Sequence, residues 1–320
     1  MKSAAALCAL TLSVYTAVAT AAYPDHPVRL IVGFSAGGPT DVVARAFAEH
    51  AAASLGHPFI VENRPGANTI LAAEAVASAK PDGYTLLLGA TNHTMIPALY
   101  KDRIKFDALN SFKPICTLAI SPTLLVVGPS MPVDSLGAFL DTVKKEPGAR
   151  TYATPGTGSS GHFASEQFLR RTGASMNHIP YKGAAQAVTD LMGGQVDSSL
   201  ATLGSVLPQI QAGKLTALAI AAPARSALLP DVPTFAEAGV KDYRADAWYG
   251  LLAPAGTPDD VVQALMRAAT SFSRSDSANA ALRALGMEPQ NMCKAEFAGQ
   301  LAREINANGE LARELNLQAN

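Results

Sequence analysis

The sequence is poor in the groups that most catalytic and nucleic-acid-binding chemistries need. Aromatic side chains make up 6% of 320 residues, with one tryptophan, too few for a base-stacking surface. Charged side chains make up 16%, and the formal net charge is −1. No global field therefore draws in nucleic acid or an acidic membrane surface. Of three cysteines, Cys8 lies in the N-terminal apolar run and only Cys116 and Cys293 remain beyond it. No CxxC pair and no clustered Cys/His spacing suggests a metal site. No cofactor is expected. One disulfide is arithmetically open, but a chain of this size does not need it, and cysteine is a common buried hydrophobe. The two are read as unpaired.

The N-terminus is a separate matter. Lys2 is followed by the apolar stretch Ala4 to Val18 and then Ala19-Thr20-Ala21, an A-x-A cleavage pattern. This predicts a secretory signal peptide over residues 1–21 and a periplasmic mature protein. Cys8 is inside the apolar run, not at its end, which argues against a lipid anchor. No later segment is long and apolar enough to span a bilayer.

What the chain has in quantity is apolar surface, 48% of residues, in runs punctuated by glycine and proline. Strand-like segments such as Val28 to Phe34, Tyr84 to Ala90, Thr123 to Gly128 and Thr216 to Ala222 alternate with helix-like ones such as Pro39 to Leu55, Gly161 to Arg171 and Gly183 to Met192. That alternation predicts an α/β fold with mainly parallel sheets. The last 60 or so residues read as two helices, Asp259 to Leu285 and Lys294 to Leu315. Two proline-rich passages, Ile120 to Pro132 and Lys241 to Thr257, read as crossings between two lobes. The expected division is residues 22–124 and 246–320 in lobe 1 and residues 125–245 in lobe 2.

Two stretches carry candidate chemistry. In "LIVGFSAGGPTDVVAR", Gly33 to Gly37 spells G-x-S-x-G, the nucleophile elbow of α/β-hydrolases. Only about a dozen mature residues precede it, so no earlier strand can supply the oxyanion loop that the elbow requires. An exported serine hydrolase using Ser35 is thus the weaker reading, and no catalytic residue is assigned. The alternative is an anion site. Gly37 and Gly38 let backbone N–H groups approach a ligand. Pro39 suits the first helical position and Asp41 the first turn. Free N–H groups at that helix start hold negative charge. "TPGTGSSGH", Thr154 to His162, has the same form, and its Ser159 and Ser160 hydroxyls can donate to carboxylate oxygens. His162 reads as a hydrogen-bonding residue at a helix start. One such loop in each lobe makes a two-sided clamp. Lys182 reads as a solvated lysine.

"VENRPGA", "KPDGYTLLLGA", "IPYKGAAQAVTDLMGGQVD", "GKLTALAI", "PDVPTFAEAG" and "YGLLAPAGTP" follow the first of these stretches in order. Together they resemble the extracytoplasmic solute receptors of tripartite tricarboxylate transporters, the Bug or TctC-like family, over Tyr23 to Leu315. The resemblance implies a two-lobed type II periplasmic-binding-protein fold with a ligand cleft between the lobes. It implies a monomeric receptor that delivers a small carboxylate to membrane permease subunits: a di- or tricarboxylate, an acidic amino acid or an aromatic carboxylate. A sensor role toward a membrane signalling partner stays open. The implied ligand residues are Phe34, Ser35, Ala36, Gly37, Gly38, Thr40 and Asp41 in the first loop, with Thr91 and Asn92. In lobe 2 they are Thr154, Gly156, Thr157, Gly158, Ser159, Ser160 and His162, with Ala201 and Thr202. The sequence departs from the family at "GANTILAA" (Gly66 to Ala73), where "GAGGNIGA" is frequent. It departs at Ile96, where Asn is usual, at Ala201, where Asp is frequent, and at Asn308, where Trp is frequent.

Overall fold

The structure is a computed structural model that describes residues 23–101, 103–243, 245–314 and 317. The expected signal peptide, and Leu315 at the expected end of the last helix, lie outside the described residues. Strand β1 (Val28–Val32) has four of five residues buried, as a strand covered on both faces requires. It leads into α1 (Pro39–Leu55), which ends at Gly56 with φ 82°, the left-handed cap that glycine favours. Then come β2 (Phe59–Asn63), α2 (Ile70–Ala77), β3 (Thr85–Ala90), α3 (Ile96–Tyr100) and the long β4 (Phe112–Val127). The middle of the chain adds α4 (Leu136–Lys145), β5 (Thr151–Thr154), α5 (Ser160–Thr172), β6 (Asn177–Pro180), α6 (Ala184–Met192), β7 (Ser198–Thr202), α7 (Leu203–Gln211) and β8 (Thr216–Ile220). The last part holds β9 (Asp246–Pro254), α8 (Asp259–Ser273), α9 (Asp276–Ala284), the short β10 (Glu288–Pro289) and α10 (Ala295–Glu314).

The strand order is β2-β1-β3-β9-β4-β7-β5-β6, with β10 and β8 also on β4. Strand β4 belongs to two sheets. Phe112 to Pro122 pair with β9, while Thr123 to Val127 pair with β7 and Leu124 to Val127 with β8. The β1–β2, β1–β3, β5–β6 and β5–β7 pairs are parallel; every pair made by β4 or β9 is antiparallel. The result is a curled mixed sheet divided into two lobes. Phe47, Leu265 and Phe272 fill one face of the first sheet, and Val76, Ile96 and Phe297 the other. Phe139 and Phe168 lie on one face of the second sheet, Leu191 and Leu207 on the other.

Two expectations change. The helical run Asp259 to Leu285 is broken, because the Ser275 side chain accepts a hydrogen bond from the Ala278 N–H and starts a new helix. Cys116 and Cys293 are not unpaired but joined in a disulfide across 177 positions. The segment after β10 runs antiparallel along β4: the Thr117 N–H donates to the Met292 carbonyl (2.9 Å) and the Lys294 N–H to the Ile115 carbonyl (3.0 Å). That alignment brings the two Cα atoms to 4.1 Å.

Candidate functional site

The first loop is shaped by three glycines in different ways. A Cβ on Gly33 would stand 2.4 Å from Thr69 Cβ, so only glycine fits there. Gly37 has φ 84° and open space around it, so its backbone angle selects glycine. Gly38 has φ −85° and ψ 170°, and any residue can adopt that. The special turn residue is thus Gly37, while Gly38 brings backbone to the cavity wall.

Asp41 is occupied in holding this loop. It accepts from the Gly37 N–H (3.0 Å), Arg45 Nε (2.9 Å) and Arg45 Nη2 (3.0 Å), and from Asn63 Nδ2 (2.9 Å). Burial pushes its carboxyl up, but the hydrogen bonds from Arg45, Gly37 and Asn63 outweigh it and hold the group below its usual range. The Gly37 N–H is spent on Asp41, and neither residue lines the cavity.

The second loop is likewise self-supporting. Ser159 caps α5 by accepting from the His162 N–H (3.3 Å), and His162 Nδ1 accepts from the Gly158 N–H (3.1 Å). Thr154 Oγ1 pairs with His178 Nε2 (2.7 Å) and accepts from the Gly156 N–H (3.2 Å). The His162 and His178 rings stack at 4.1 Å. Burial pulls the His162 pKa down to about 4. Burial, with the neighbouring His162, pulls His178 down to about 3. Both are neutral near pH 7. Gly156, Gly158 and Gly161 also stand at G-x-G-x-x-G spacing between a strand and a helix, a phosphate-loop signature not singled out above. A Cβ on Gly161 would meet the Leu200 carbonyl at 2.9 Å, so its place in the pattern is accounted for by packing.

Between the loops lies a cavity of about 60 Å³. At roughly 10–15 Å³ per water-sized group it suits a small ligand. Phe34, Ser35, Gly38 and Thr40 line it from one loop and Ser159 and Ser160 from the other, with Asn92 and Thr202. Ala36, Gly37, Asp41, Thr91, Thr154, Gly156, Thr157, Gly158, His162 and Ala201 do not. Ala36 is exposed, Thr91 Oγ1 accepts from the Trp248 N–H (2.8 Å), and Ala201 lines a neighbouring cavity that shares Ser160 and Thr202.

Sequence reading missed a third wall, Gly183, Ala184, Ala185 and Gln186, and a floor of Ala247 and Tyr249 from β9. Gly183 is the residue before α6. With Thr202, the residue before α7, the N-termini of α1, α5, α6 and α7 therefore meet at one cavity. "IPYKGAAQAV" carries the same strand-glycine-helix form as the two loops, and that signal could have found it. No aspartate, glutamate, histidine, lysine or arginine lines the cavity. Its field is set by peptide dipoles, which favour an anion, and Ser35 has no general base along its walls. Burial pushes the Tyr249 phenol well above its ordinary value, partly offset by a hydrogen bond with the Thr202 side chain.

The model of the tripartite tricarboxylate transporter family receptor matches residues 43–317. The chain belongs to this family. The receptor is 36% identical to protein BugT of Bordetella pertussis over 305 residues, covering 95% of this chain and 94% of the relative. Its fold matches that of R. palustris Rpa4515 with adipate at a TM-score of 0.89 and 32% identity, covering 93% of this chain and 100% of the other. It matches MatC from Rhodopseudomonas palustris with bound malate at 0.85 and 31%, covering 90% and 99%. Among the receptor's described residues no group of three His, Cys, Asp or Glu could hold a metal ion, and no helix is long and apolar enough to cross a membrane.

Proposed function

We propose that the receptor is exported by its N-terminal signal peptide and captures a small carboxylate in the periplasm for a tripartite tricarboxylate-type permease. Residues 22–124 and 246–320 form one lobe and residues 125–245 the other, and the ligand lies between them. The observation that carries this reading is the meeting of four helix N-termini at a cavity without a single charged side chain. Peptide N–H groups, with the Ser35, Thr40, Ser159 and Ser160 hydroxyls, supply the donors, and waters bridge what is not reached directly. The adipate and malate held by the related structures are the chemistry this environment favours.

A thermal-shift screen over di- and tricarboxylates, acidic amino acids and aromatic carboxylates identifies the ligand. At 100 times its dissociation constant a ligand stabilises by about 2.7 kcal/mol. Calorimetry on the hit and its amide then tests the mechanism. The amide is expected to bind much worse, because charge-assisted hydrogen bonds are lost. Equal affinities for acid and amide overturn the carboxylate reading.

A further inference from the structure

Phe163 is buried, yet it belongs to the core of neither sheet. Its helix, α5, is rooted in the second sheet through Ala164, Phe168 and Leu169. Helix α10 is rooted in the first sheet through Phe297 and Leu301. Phe163 packs instead with Met95, Leu99, Leu311, Ala312 and Leu317, which lie at α3 and at the end of α10. The Leu317 N–H donates to the Ala312 carbonyl (2.9 Å) and closes the far side of this socket. One lobe thus seats an aromatic side chain in a recess built by the other.

Polar contacts accompany the seat. Tyr100 Oη donates to the Thr157 carbonyl (3.2 Å), and Arg170 Nη1 lies 3.2 Å from Glu314 Oε2. The Arg170–Glu314 pair is more than half exposed, so it adds little, and the apolar contact dominates. The chain also has Asn308 where the resembling family frequently has Trp. Asn308 Nδ2 donates to Thr94 Oγ1 (3.1 Å) and borders a cavity of about 220 Å³ that Met95, Phe163 and Leu311 also line. On the α5 side of that cavity, formed by Ser160, Phe163, Ala164 and Gln167, Phe163 is the one large apolar side chain.

The seat is close to the ligand cavity but not part of it. The Phe163 N–H donates to the Ser159 carbonyl (3.1 Å), so Phe163 is in the helical turn that presents Ser159 and Ser160 to the ligand. Neither Phe163 nor any residue of its socket lines the ligand cavity. Its contribution is therefore made with or without a ligand.

We propose that Phe163 is a positioning residue for ligand capture, whose seat between α3 and α10 holds the α5 N-terminus against the other lobe and favours the closed arrangement before a ligand arrives. Burying a phenyl ring favours the state that buries it by about ten- to a hundredfold, and a ligand that binds the closed form gains that bias. The inference rests on the two-lobe division proposed above and not on the chemistry of the ligand.

A trapped bridge tests it. A Cβ on Gly183 would stand 3.7 Å from Ser35 Cβ, within the span of a disulfide. The full mature chain carrying Ser35→Cys and Gly183→Cys, with its native disulfide intact, can form a second bridge only when the lobes are closed. The rate of bridge formation in oxidised glutathione, with no ligand present, reads the closed population. Adding Phe163→Ala is expected to slow it at least about fivefold. Phe163→Leu keeps most of the apolar surface and is expected within about twofold of the parent. Leu311→Ala thins the socket from the other lobe and is expected to slow bridging as well, which decides the matter should Phe163→Ala not fold. Alkylation rates of the two single-cysteine chains should be unchanged by these substitutions, which separates closure from thiol reactivity. If the parent bridges and the Phe163→Ala and Leu311→Ala chains bridge at its rate, the anchor is wrong and the two lobes stand. If the parent pair never bridges, the lobes do not meet as described and both fall. A failed carboxylate screen touches neither outcome.

Discussion

Gly183 faces Ser35 across the cleft, with the position of a Cβ on Gly183 only 3.7 Å from Ser35 Cβ. The lobes touch where the α6 start meets the first glycine loop. Gly183 has φ 164°, an extended angle open to any residue, so a side chain there acts on the cleft and not on the backbone. Gly183→Leu is expected to prop the lobes apart and weaken carboxylate binding at least about tenfold (~1.4 kcal/mol), with the melting temperature of the unliganded protein nearly unchanged. Calorimetry and thermal unfolding on the variant check this pair of outcomes. Full affinity in Gly183→Leu means that the contact plays no part in closure.

The glycine loops were legible because each lies between an apolar run and a helix-period pattern, and the family resemblance fixed which ligand chemistry to expect. Residue types alone did not reveal what each polar group is spent on. Asp41 looked like a pocket residue and is instead surrounded by Arg45, Asn63 and the Gly37 N–H. The front half of β4 was hidden because Pro114 and Pro122 interrupt it. Proline is tolerated there beside register shifts and at the change of sheet, which a one-dimensional pattern does not show. The disulfide was hidden for a similar reason: its 177-residue separation gives no local signal, and only the pairing of the β10 segment with β4 brings the cysteines together.

The disulfide closes a long loop and so restricts the unfolded chain. For a sequence separation of 177 the chain-entropy account gives about 5 kcal/mol, and measured losses for native bridges fall around 2–5 kcal/mol. Cys116→Ala with Cys293→Ala is expected to lower unfolding free energy by that order in denaturant titration. Ligand affinity should stay within about twofold, since neither cysteine lines the cavity. A destabilisation well under 1 kcal/mol contradicts a structural role for the bridge.

The stacked His162 and His178 predict an acid-sensitive second loop. Burial holds their folded-state pKa values at about 4 and about 3, below the ordinary value near 6.5. As pH falls, the unfolded chain takes up these protons before the folded one does. Their contribution is whole above about pH 6.5 and diminishes as the pH falls toward 4 and then 3. His162→Asn keeps an acceptor for the Gly158 N–H and removes one titrating ring. Between pH 6.5 and 4 its stability should therefore fall less steeply than that of the wild-type chain, read by chemical denaturation at several pH values. Parallel curves for the two proteins count against the buried neutral pair.

The first loop separates a backbone requirement from a ligand requirement within two adjacent glycines. Gly37 has a left-handed φ of 84° with free space around it, so Gly37→Val is strained whatever the room available. It should cost stability, about 1 kcal/mol or more. Gly38 has an ordinary backbone angle and lines the cavity, so Gly38→Val should fold with little loss and obstruct the ligand instead. Ser35→Ala removes one hydroxyl from a site whose donors are mainly peptide N–H groups. It should weaken binding by no more than about tenfold (~1.4 kcal/mol). The expected order of affinity is wild type, then Ser35→Ala, then Gly38→Val, while the largest drop in melting temperature belongs to Gly37→Val. Calorimetry and thermal unfolding on the three variants give both orders. If Gly38→Val binds as well as wild type, the α1 start is not part of the clamp. If Ser35→Ala abolishes binding, the side chain and not the peptide dipoles carries the site.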